Sequence, residues 1–197
     1  FFSSMSFLLM SPNISFNVLG SLSFFSDKYI ADGHADTLRE MVLKEARHVD
    51  IDQIDRYVDL QFFAVYVEEE TDGKAAYEEE QRIFRGAAEL LAKRSEKLFL
   101  VEGQNDLAKI GQGRTAVVLA MENCASFDGD LSRIDAYYDA GYRSFGLTWN
   151  HPNCIGGGVA APELPLSPFG REAVRKMGRL PVIIDMAHLG ERSFYDT

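Results

Sequence analysis

The chain has 197 residues, of which 46% are hydrophobic and 25% are charged, and this composition is typical of a globular protein with a substantial core. Its 20 Lys and Arg residues stand against 30 Asp and Glu residues, which gives a formal net charge of −10. This acidic balance argues against a broad nucleic-acid-binding face, because such a face needs clustered cations that displace counterions from the phosphates. Cys124 and Cys154 lack the close spacing of a zinc knuckle and suggest no disulfide framework.

Residues 1–29 differ in composition from the rest of the chain, because they are rich in Phe, Ser and Leu and hold one charge pair, Asp27 and Lys28. No Lys or Arg precedes the apolar run and no clear small-residue cleavage site follows it, so the segment does not fit a secretory signal. Polar residues interrupt the run well short of the roughly 20 residues that a transmembrane helix needs. We therefore predict a poorly ordered or non-native extension over 1–29, a single domain over 30–197, and a cytoplasmic location.

After this segment, short apolar runs alternate with helical patterns. Near-continuous apolarity is typical of strands that are buried on both faces of a parallel sheet. Between the runs, residues 83, 84, 87, 88, 90 and 91 form one apolar helical face. Asp130 and Gly141 are expected to bound a shorter helix, and Ser167 followed by Pro168 marks the start of a third. Strands separated by helices predict right-handed βαβ units, with spacings compatible with a (β/α) barrel. The five predicted strands cover residues 30–33, 61–67, 115–121, 144–149 and 181–186.

Residues with metal-binding chemistry follow several of these strands. In parallel α/β folds, reactive side chains gather where strands end at their carboxyl side. His34-Ala-Asp36 follows the first predicted strand, and Glu122 follows the third. Trp149-Asn150-His151 ends the fourth strand, and His188 follows the fifth. Three of the chain's four histidines therefore lie at strand ends, which points to a common site.

The spacing of these residues would allow their side chains to bind metal ions together. His34 and Asp36 are two residues apart, so an extended backbone directs both side chains to the same side, where one cation can bind both. The carboxylate of Glu122 has two oxygens and can bridge two metal ions that lie about 3.5–4 Å apart. His188 offers a further neutral nitrogen ligand. Together the four side chains predict a metal site at one rim of the sheet.

Five segments carry a resemblance to a known family. They occur in the order and at the spacing of motifs in the membrane (renal-type) dipeptidases, zinc enzymes of the amidohydrolase-like barrel group, and the resemblance covers residues 29–197. It implies a (β/α)8 TIM-like barrel, of which this chain would be an N-terminal fragment with about five of the eight βα units. The segments are Asp32-Gly-His-Ala-Asp36, Gln61-Phe-Phe-Ala-Val-Tyr-Val67, Glu122, Gly141-Tyr-Arg-Ser-Phe-Gly-Leu-Thr-Trp-Asn150 and Ile184-Asp-Met-Ala-His188.

The resemblance also implies a binuclear Zn²⁺ site. His34 and Asp36 would bind one ion, and Glu122, counted as both ligand and catalytic residue, would bridge it to the second. His188 would bind the second ion. In the family, a bridging hydroxide attacks the peptide carbonyl of a dipeptide, often one with a D-residue or a dehydro residue at the C-terminal side. Members are commonly dimers, so the resemblance is compatible with a homodimer.

The fourth strand departs from the family pattern. Many members have Thr-His there, and the His helps to hold the substrate carbonyl, whereas this chain has Thr148 followed by Trp149-Asn150-His151. We take Trp149, Asn150 and His151 as candidate substrate-binding residues. His151 either replaces the missing catalytic donor or simply lies in the loop over residues 152–158. Trp149 either forms a wall of the pocket or packs the barrel.

The family takes further site residues from strands that this chain does not contain. They are another zinc-ligand His from a sixth strand, a substrate-binding Arg from a nearby loop, and a catalytic Asp from the eighth strand. We therefore expect the chain to be part of a longer enzyme and to be inactive alone.

Two alternatives stay open. One is another binuclear amidohydrolase that cleaves a lactone, a phosphoester or a cyclic amide. The other is a non-catalytic barrel scaffold. The H-x-D start at His34 favours the peptidase over the first alternative, since most of those enzymes begin with H-x-H. Four ligand-type residues at one rim argue against a scaffold.

Overall fold

The computed structural model describes residues 8–10, 29–43, 51–68 and 73–197. The strands are β1 (Leu8–Met10), β2 (Ala31–Ala35), β3 (Leu60–Val65), β4 (Leu98–Leu100), β5 (Thr115–Glu122), β6 (Tyr142–Gly146) and β7 (Ile183–Asp185). The α-helices are α1 (Thr37–Leu43), α2 (Gly73–Ala92), α3 (Gln104–Leu107), α4 (Ser132–Asp139), α5 (Pro168–Met177) and α6 (Glu191–Asp196). Short 3₁₀ helices lie at Ile54–Arg56 and Cys124–Phe127.

The strands form one sheet in the order β1-β7-β6-β5-β3-β2. All pairings from β2 to β7 are parallel, while β1 runs antiparallel to β7. β4 pairs with the first residues of β5, and β6 pairs with the last ones, so both lie on the same side of β5. The parallel arrangement confirms the predicted α/β fold and brings the carboxyl ends of β2, β3, β5, β6 and β7 to one edge of the sheet.

The five predicted strands are all found, with shifted ends. The fourth runs over Tyr142–Gly146 rather than to residue 149, because the chain leaves the sheet at Leu147, and the fifth shortens to Ile183–Asp185. Two strands of three residues each, β1 and β4, were not predicted. β7 is equally short, but it lies within the longer apolar run over 181–186 that marked it as a strand. Apart from β1 and residue 29, the predicted extension over 1–29 lies outside the described residues and stays a prediction.

The sheet separates two apolar clusters. The larger one fills the space between the helices and the face of the sheet that carries Phe63, Val117 and Leu119. The opposite face carries the alternate residues of β5, and a smaller cluster forms there. Its buried members are Val101, Ile110, Ala116 and Val118, with Leu60, Phe62, Phe99 and Leu107 packed against them.

Capping residues mark the ends of two helices. At the start of α5, the hydroxyl of Ser167 accepts a hydrogen bond from the amide of Gly170 at 2.8 Å, which confirms the predicted cap. The carboxylate of Asp130 accepts from the amide of Ser132 at the start of α4, and Gly141 follows that helix with a φ of +102°. Among the described residues, no helix combines the length and apolarity that a bilayer crossing requires.

We expect the Ser167→Ala variant to lose about 1 kcal/mol of stability, because its cap to α5 is removed. The hydroxyl also donates to the carbonyl of Cys154 at 2.6 Å, so the loss includes the anchor of the preceding loop. Urea unfolding followed by far-UV circular dichroism measures the difference. Ser132→Ala, whose hydroxyl reaches only the exposed Asp130, is the control. Equal midpoints for both variants would contradict the assignment.

Candidate metal centre

The four side chains predicted as ligands meet at the carboxyl edge of the sheet. His34 lies in β2, Asp36 directly follows it, Glu122 ends β5, and His188 comes shortly after β7. The imidazole Nε2 of His34 is 3.2 Å from Oδ1 of Asp36 and 3.7 Å from Oε2 of Glu122. Nε2 of His188 is 3.5 Å from Oε1 of Glu122. The potential ligand atoms of His34, Asp36 and Glu122 all lie within 4.8 Å of one another.

The carboxylate of Glu122 presents a different oxygen to each imidazole. Oε2 faces His34 and Oε1 faces His188, on opposite sides of the carboxylate. A carboxylate can bind two cations in this way, one through each oxygen, with the imidazoles as further ligands. The side chain of Glu122 is 19% exposed, whereas that of His34 is 51% exposed. The centre therefore lies at the mouth of the sheet, open to solvent on the side of His34.

A tight turn after β7 delivers His188 to the centre. Oδ1 of Asp185 accepts a hydrogen bond from the amide of Ala187 at 2.8 Å, and His188 itself adopts a left-handed backbone with a φ of +64°. Its carbonyl accepts bonds from the hydroxyl of Thr148 and the amide of Val159. This backbone is uncommon for a residue other than Gly, and these contacts hold it in place.

Asn150 fixes the orientation of the His188 ring. The amide oxygen of Asn150 lies 3.2 Å from Nδ1 of His188. When Nδ1 donates its proton to this oxygen, Nε2 is left with a free electron pair that points towards Glu122. A hydrogen bond of this kind on the far nitrogen is typical of histidines that bind metals. Asn150, predicted as a substrate-binding residue, thus contacts a candidate ligand; the substrate role itself stays a prediction.

Aromatic side chains lie next to His188. The ring of Trp149 lies 6.5 Å from that of His188 and 6.2 Å from that of Tyr66. The guanidinium of the buried Arg39 lies 3.9 Å from the centre of the Tyr66 ring, and it donates to the carbonyl of Tyr66 and to the carboxylate of Glu68. Tyr66 and Arg39 were not predicted as site residues. The sequence feature that could have identified Tyr66 as a site residue is its position directly after β3.

A cavity of about 240 Å³ opens beneath the centre, on the face of the sheet opposite the main helical core. Small side chains at Ala64, Ala120 and Ser144 leave this space open. Asp185 contributes a further carboxylate to the lining, beyond those of the four predicted ligands. The lining residues are Gly33, His34, Phe62, Ala64, Ala120, Met121, Glu122, Ser144, Gly146, Thr148, Asp185, Ala187 and His188.

The electrostatics of the centre reflect crowded carboxylates. The hydrogen bond to Asp36 raises the pKa of His34 above 6.5, against the opposing effect of burial, and the charge of Glu122 adds to the increase. Burial raises the pKa of Glu122, and the nearby imidazole of His34 partly offsets this. The charge of Asp185 raises the pKa of both groups. Excess negative charge in one small cavity is what bound cations would neutralise.

His151 lies outside this cavity. It lines a separate polar cavity of about 230 Å³ together with Asn123 and Asn153. The loop takes this path because the side-chain amide of Asn153 donates to Asn123 and to the carbonyl of Leu147, which fixes the chain after His151. The part of the chain that the structure describes therefore does not bring His151 among the lining residues of the metal centre, and its catalytic role stays a prediction.

Sequence comparison identifies the family. The membrane dipeptidase family (peptidase family M19) matches residues 23–197. The chain belongs to this family.

Relatives with curated sequences match shorter stretches. An uncharacterized protein of Klebsiella pneumoniae, from the pqqA 5′ region, is 31% identical over 117 residues, which are 55% of this chain and 43% of the relative. An uncharacterized dipeptidase of Schizosaccharomyces pombe is 32% identical over 91 residues, which are 43% of this chain and 21% of that protein. The match thus covers less than half the length of each of these two relatives.

Solved structures of dipeptidases share the fold. A metallopeptidase of family M19, dipeptidase AC, superposes with a TM-score of 0.77 at 20% identity, covering 85% of this chain and 59% of the other. A metallopeptidase of Rhodobacter sphaeroides, bound to a phosphinate mimic of the dipeptide L-Ala-D-Ala, gives a TM-score of 0.71 at 21% identity over 85% of this chain and 61% of the other. The α/β fold of this chain is accordingly a parallel half-barrel sheet, consistent with part of a TIM-like barrel.

We expect Asp36→Asn to lower the pKa of His34 in protein from which chelation has removed divalent cations. The raised pKa means that the interaction stabilises the fold fully below the unfolded-state value of 6.5 and that this contribution is lost as pH rises through the folded-state pKa. Histidine resonances in an NMR titration measure the shift. Asp139→Asn, an exposed change on α4, is the control, and a His34 pKa unaltered by Asp36→Asn would contradict the contact.

Proposed function

We propose that this chain supplies the larger part of a binuclear Zn²⁺ site in an enzyme that hydrolyses dipeptides. One observation carries the proposal: the two oxygens of Glu122 face two imidazoles that are far apart in the sequence, at 3.7 Å and 3.5 Å. Membership of the membrane dipeptidase family supports it. Since the chain spans 59% of a structural relative, the remaining site residues are expected from further polypeptide.

The donor set suits the ion. Imidazole nitrogens and carboxylate oxygens are common ligands of Zn²⁺. In the proposal, His34 and Asp36 hold one ion, Glu122 is shared, and His188 holds the other. Asp36 and Asp185 both act on Glu122 through their charges, so the centre can carry three negative charges, which two divalent cations would more than balance.

The residues of the chain have distinct tasks in this mechanism. When bound, two zinc ions lower the pKa of a shared water and polarise the carbonyl that it attacks. Glu122 holds the shared position because burial at the end of β5 restricts its side chain. Asn150 keeps the His188 ring in the orientation that directs Nε2 into the centre. Trp149 and Tyr66 form an aromatic flank beside the His188 ring.

A dipeptide fits the size and position of the cavity. The space beneath the centre is about 240 Å³ and is lined mainly by small residues, which favours a short substrate. The Rhodobacter sphaeroides relative binds a dipeptide mimic, which supports the same substrate class here. In this proposal Trp149 and Asn150 border the substrate beside His188, and the substrate-binding role predicted for His151 is not included because His151 lines the separate polar cavity. The enzyme acts as a homodimer, and it is located in the cytoplasm.

The central test replaces the shared carboxylate in the complete natural polypeptide. We expect the unaltered protein to bind close to two zinc ions and to hydrolyse a simple dipeptide such as L-Ala-D-Ala. Glu122→Gln should lower kcat by roughly a thousandfold or more, because the amide cannot bridge two cations. Metal analysis and a ninhydrin assay give the two readouts. Glu89→Gln, an exposed change on α2, should leave both unchanged.

Two results would refute the proposal. The first is an unaltered protein that retains no zinc after dialysis against micromolar zinc. The second is a protein that binds zinc but hydrolyses a lactone or phosphoester and no dipeptide. Circular dichroism must show that Glu122→Gln is folded.

A second test concerns the hydrogen bond between Asn150 and His188. We expect Asn150→Ala to weaken zinc binding by about 10- to 100-fold, because the ring of His188 loses the partner that fixes its orientation. Competition against a chromophoric chelator measures the affinity. Asn105→Ala, on the exposed surface of α3, is the matched control. An affinity equal to that of the control would show that Asn150 has no part in holding the ligand.

A further inference from the structure

A carboxylate is completely buried behind the metal centre. Helix α2 turns four residues into the core, and three of them are the apolar Ala76, Ile83 and Ala87. The fourth is Glu80, which is 0% exposed. Burial of a carboxylate is strongly unfavourable unless other groups hydrogen-bond to it, and an apolar residue would pack α2 equally well. The contacts of Glu80 therefore require an explanation beyond helix packing.

Those contacts join three elements. The hydroxyl of Tyr137, on α4, donates a hydrogen bond to Oε2 of Glu80. The same hydroxyl is hydrogen-bonded to that of Ser126, with 3.0 Å between the oxygens. Ser126 and Tyr137 are themselves fully buried. A small polar network thus links α2, α4 and the 3₁₀ helix Cys124–Phe127 inside the apolar core.

The 3₁₀ helix is the direct continuation of the strand that carries Glu122. β5 ends at Glu122, Asn123 turns the chain with a φ of +76°, and Ser126 follows within the 3₁₀ turn. The guanidinium of Arg133 strengthens the same connection, because it donates to the carbonyls of Ser126 and Gly73. The backbone just beyond Glu122 is thereby tied to α2 from the side opposite the metal centre.

We propose that Glu80 is a positioning residue for Glu122. The hydrogen bond that Tyr137 donates to Glu80, together with the bond between the Tyr137 and Ser126 hydroxyls, holds the turn after β5. The turn sets the direction in which the carboxylate of Glu122 leaves the sheet. This role rests on the proposed function, because the exact direction of the Glu122 carboxylate matters only if two metal ions share it. An apolar side chain at position 80 would support α2 and would leave the bonded hydroxyls of Tyr137 and Ser126 without the carboxylate that anchors them to α2.

The surroundings of Glu80 also shift its pKa, which gives a second measurement that is independent of the metal site. Burial raises its pKa to about 7, against the hydrogen bonds from Ser126 and Tyr137 and the charge of Arg133, while the neighbouring Glu79 adds to the increase. Burial raises the pKa of the Tyr142 hydroxyl, and the charge of Glu80 adds to the increase. A carboxyl whose pKa is higher when folded is stabilising while protonated, so stability declines as pH rises from about 4.5 to about 7. Glu80→Gln should remove this decline.

The test compares Glu80→Gln and Glu80→Leu in the complete natural polypeptide, with Glu89→Gln on the exposed face of α2 as control. Gln keeps an acceptor oxygen and Leu does not. In metal-free protein, we expect Glu80→Leu to speed amide hydrogen exchange in a peptide that covers residues 120–128 and to leave residues 183–188 unchanged. Its zinc affinity should fall about tenfold, while Glu80→Gln stays within about threefold of the unaltered protein.

The outcomes separate this inference from the proposed function. If the unaltered protein binds no zinc, the proposed function fails, and hydrogen exchange alone decides whether Glu80 holds the turn. If Glu80→Leu folds and changes neither exchange over 120–128 nor zinc affinity, Glu80 does not position Glu122. Should Glu80→Leu fail to fold, Ser126→Ala combined with Tyr137→Phe removes the same bonds, and unchanged exchange and affinity in that variant overturn the inference.

Discussion

The site depends on one geometric constraint, the meeting of two imidazoles on the carboxylate of Glu122. β5 lies in the middle of the sheet, and β2 and β7 are each two strands away from it. In a flat sheet, two strand spacings are about 10 Å, and side chains stand nearly perpendicular to the surface. His34 and His188 nevertheless approach the same carboxylate within 3.7 Å and 3.5 Å. The sheet must therefore curl around Glu122, so the half-barrel curvature is itself a requirement of the site.

The strand register explains why a cavity remains open beneath the candidate ligands. Glu122 pairs with Gly146, and Gly146 pairs with Asp185, so a glycine lies between two carboxylates in one row. A Cβ at position 146 would come within 3.1 Å of the Met121 carbonyl and 3.4 Å of the Glu122 Cα. Any larger residue would press on the backbone that directs Glu122 and would fill space beneath the ligands. The intervening strand β6 separates the two acidic groups, and its glycine keeps the cavity between them open.

The sequence predicted those parts of the molecule that follow from local patterns. Apolar runs located the strands of the main sheet, and the rule that reactive groups follow parallel strands located His34, Asp36, Glu122 and His188, which the structure brings together. β4 was missed because its apolar run is only four residues long, Leu98-Phe-Leu-Val101, whereas the equally short β7 lies within a longer apolar run. The contact of Asn150 with His188 and the separate location of His151 depend on the path of a loop, which hydrogen bonds across 30 or more residues determine.

Glu80 illustrates why the remaining polar contacts could not be read from sequence. It lies in a run of three glutamates, and a run of this kind ordinarily marks an exposed helix face. Its register in α2 instead aligns it with Ala76, Ile83 and Ala87, the buried stripe. A hydropathy pattern groups Glu80 with Glu78 and Glu79 as exposed, because it scores the charge of a residue and not the side of the helix on which the residue lies. Only the packing of α2 against its neighbours shows that Glu80 is the buried one. An acidic residue on a stripe that is otherwise apolar is therefore informative, since packing alone would favour its replacement by an apolar one.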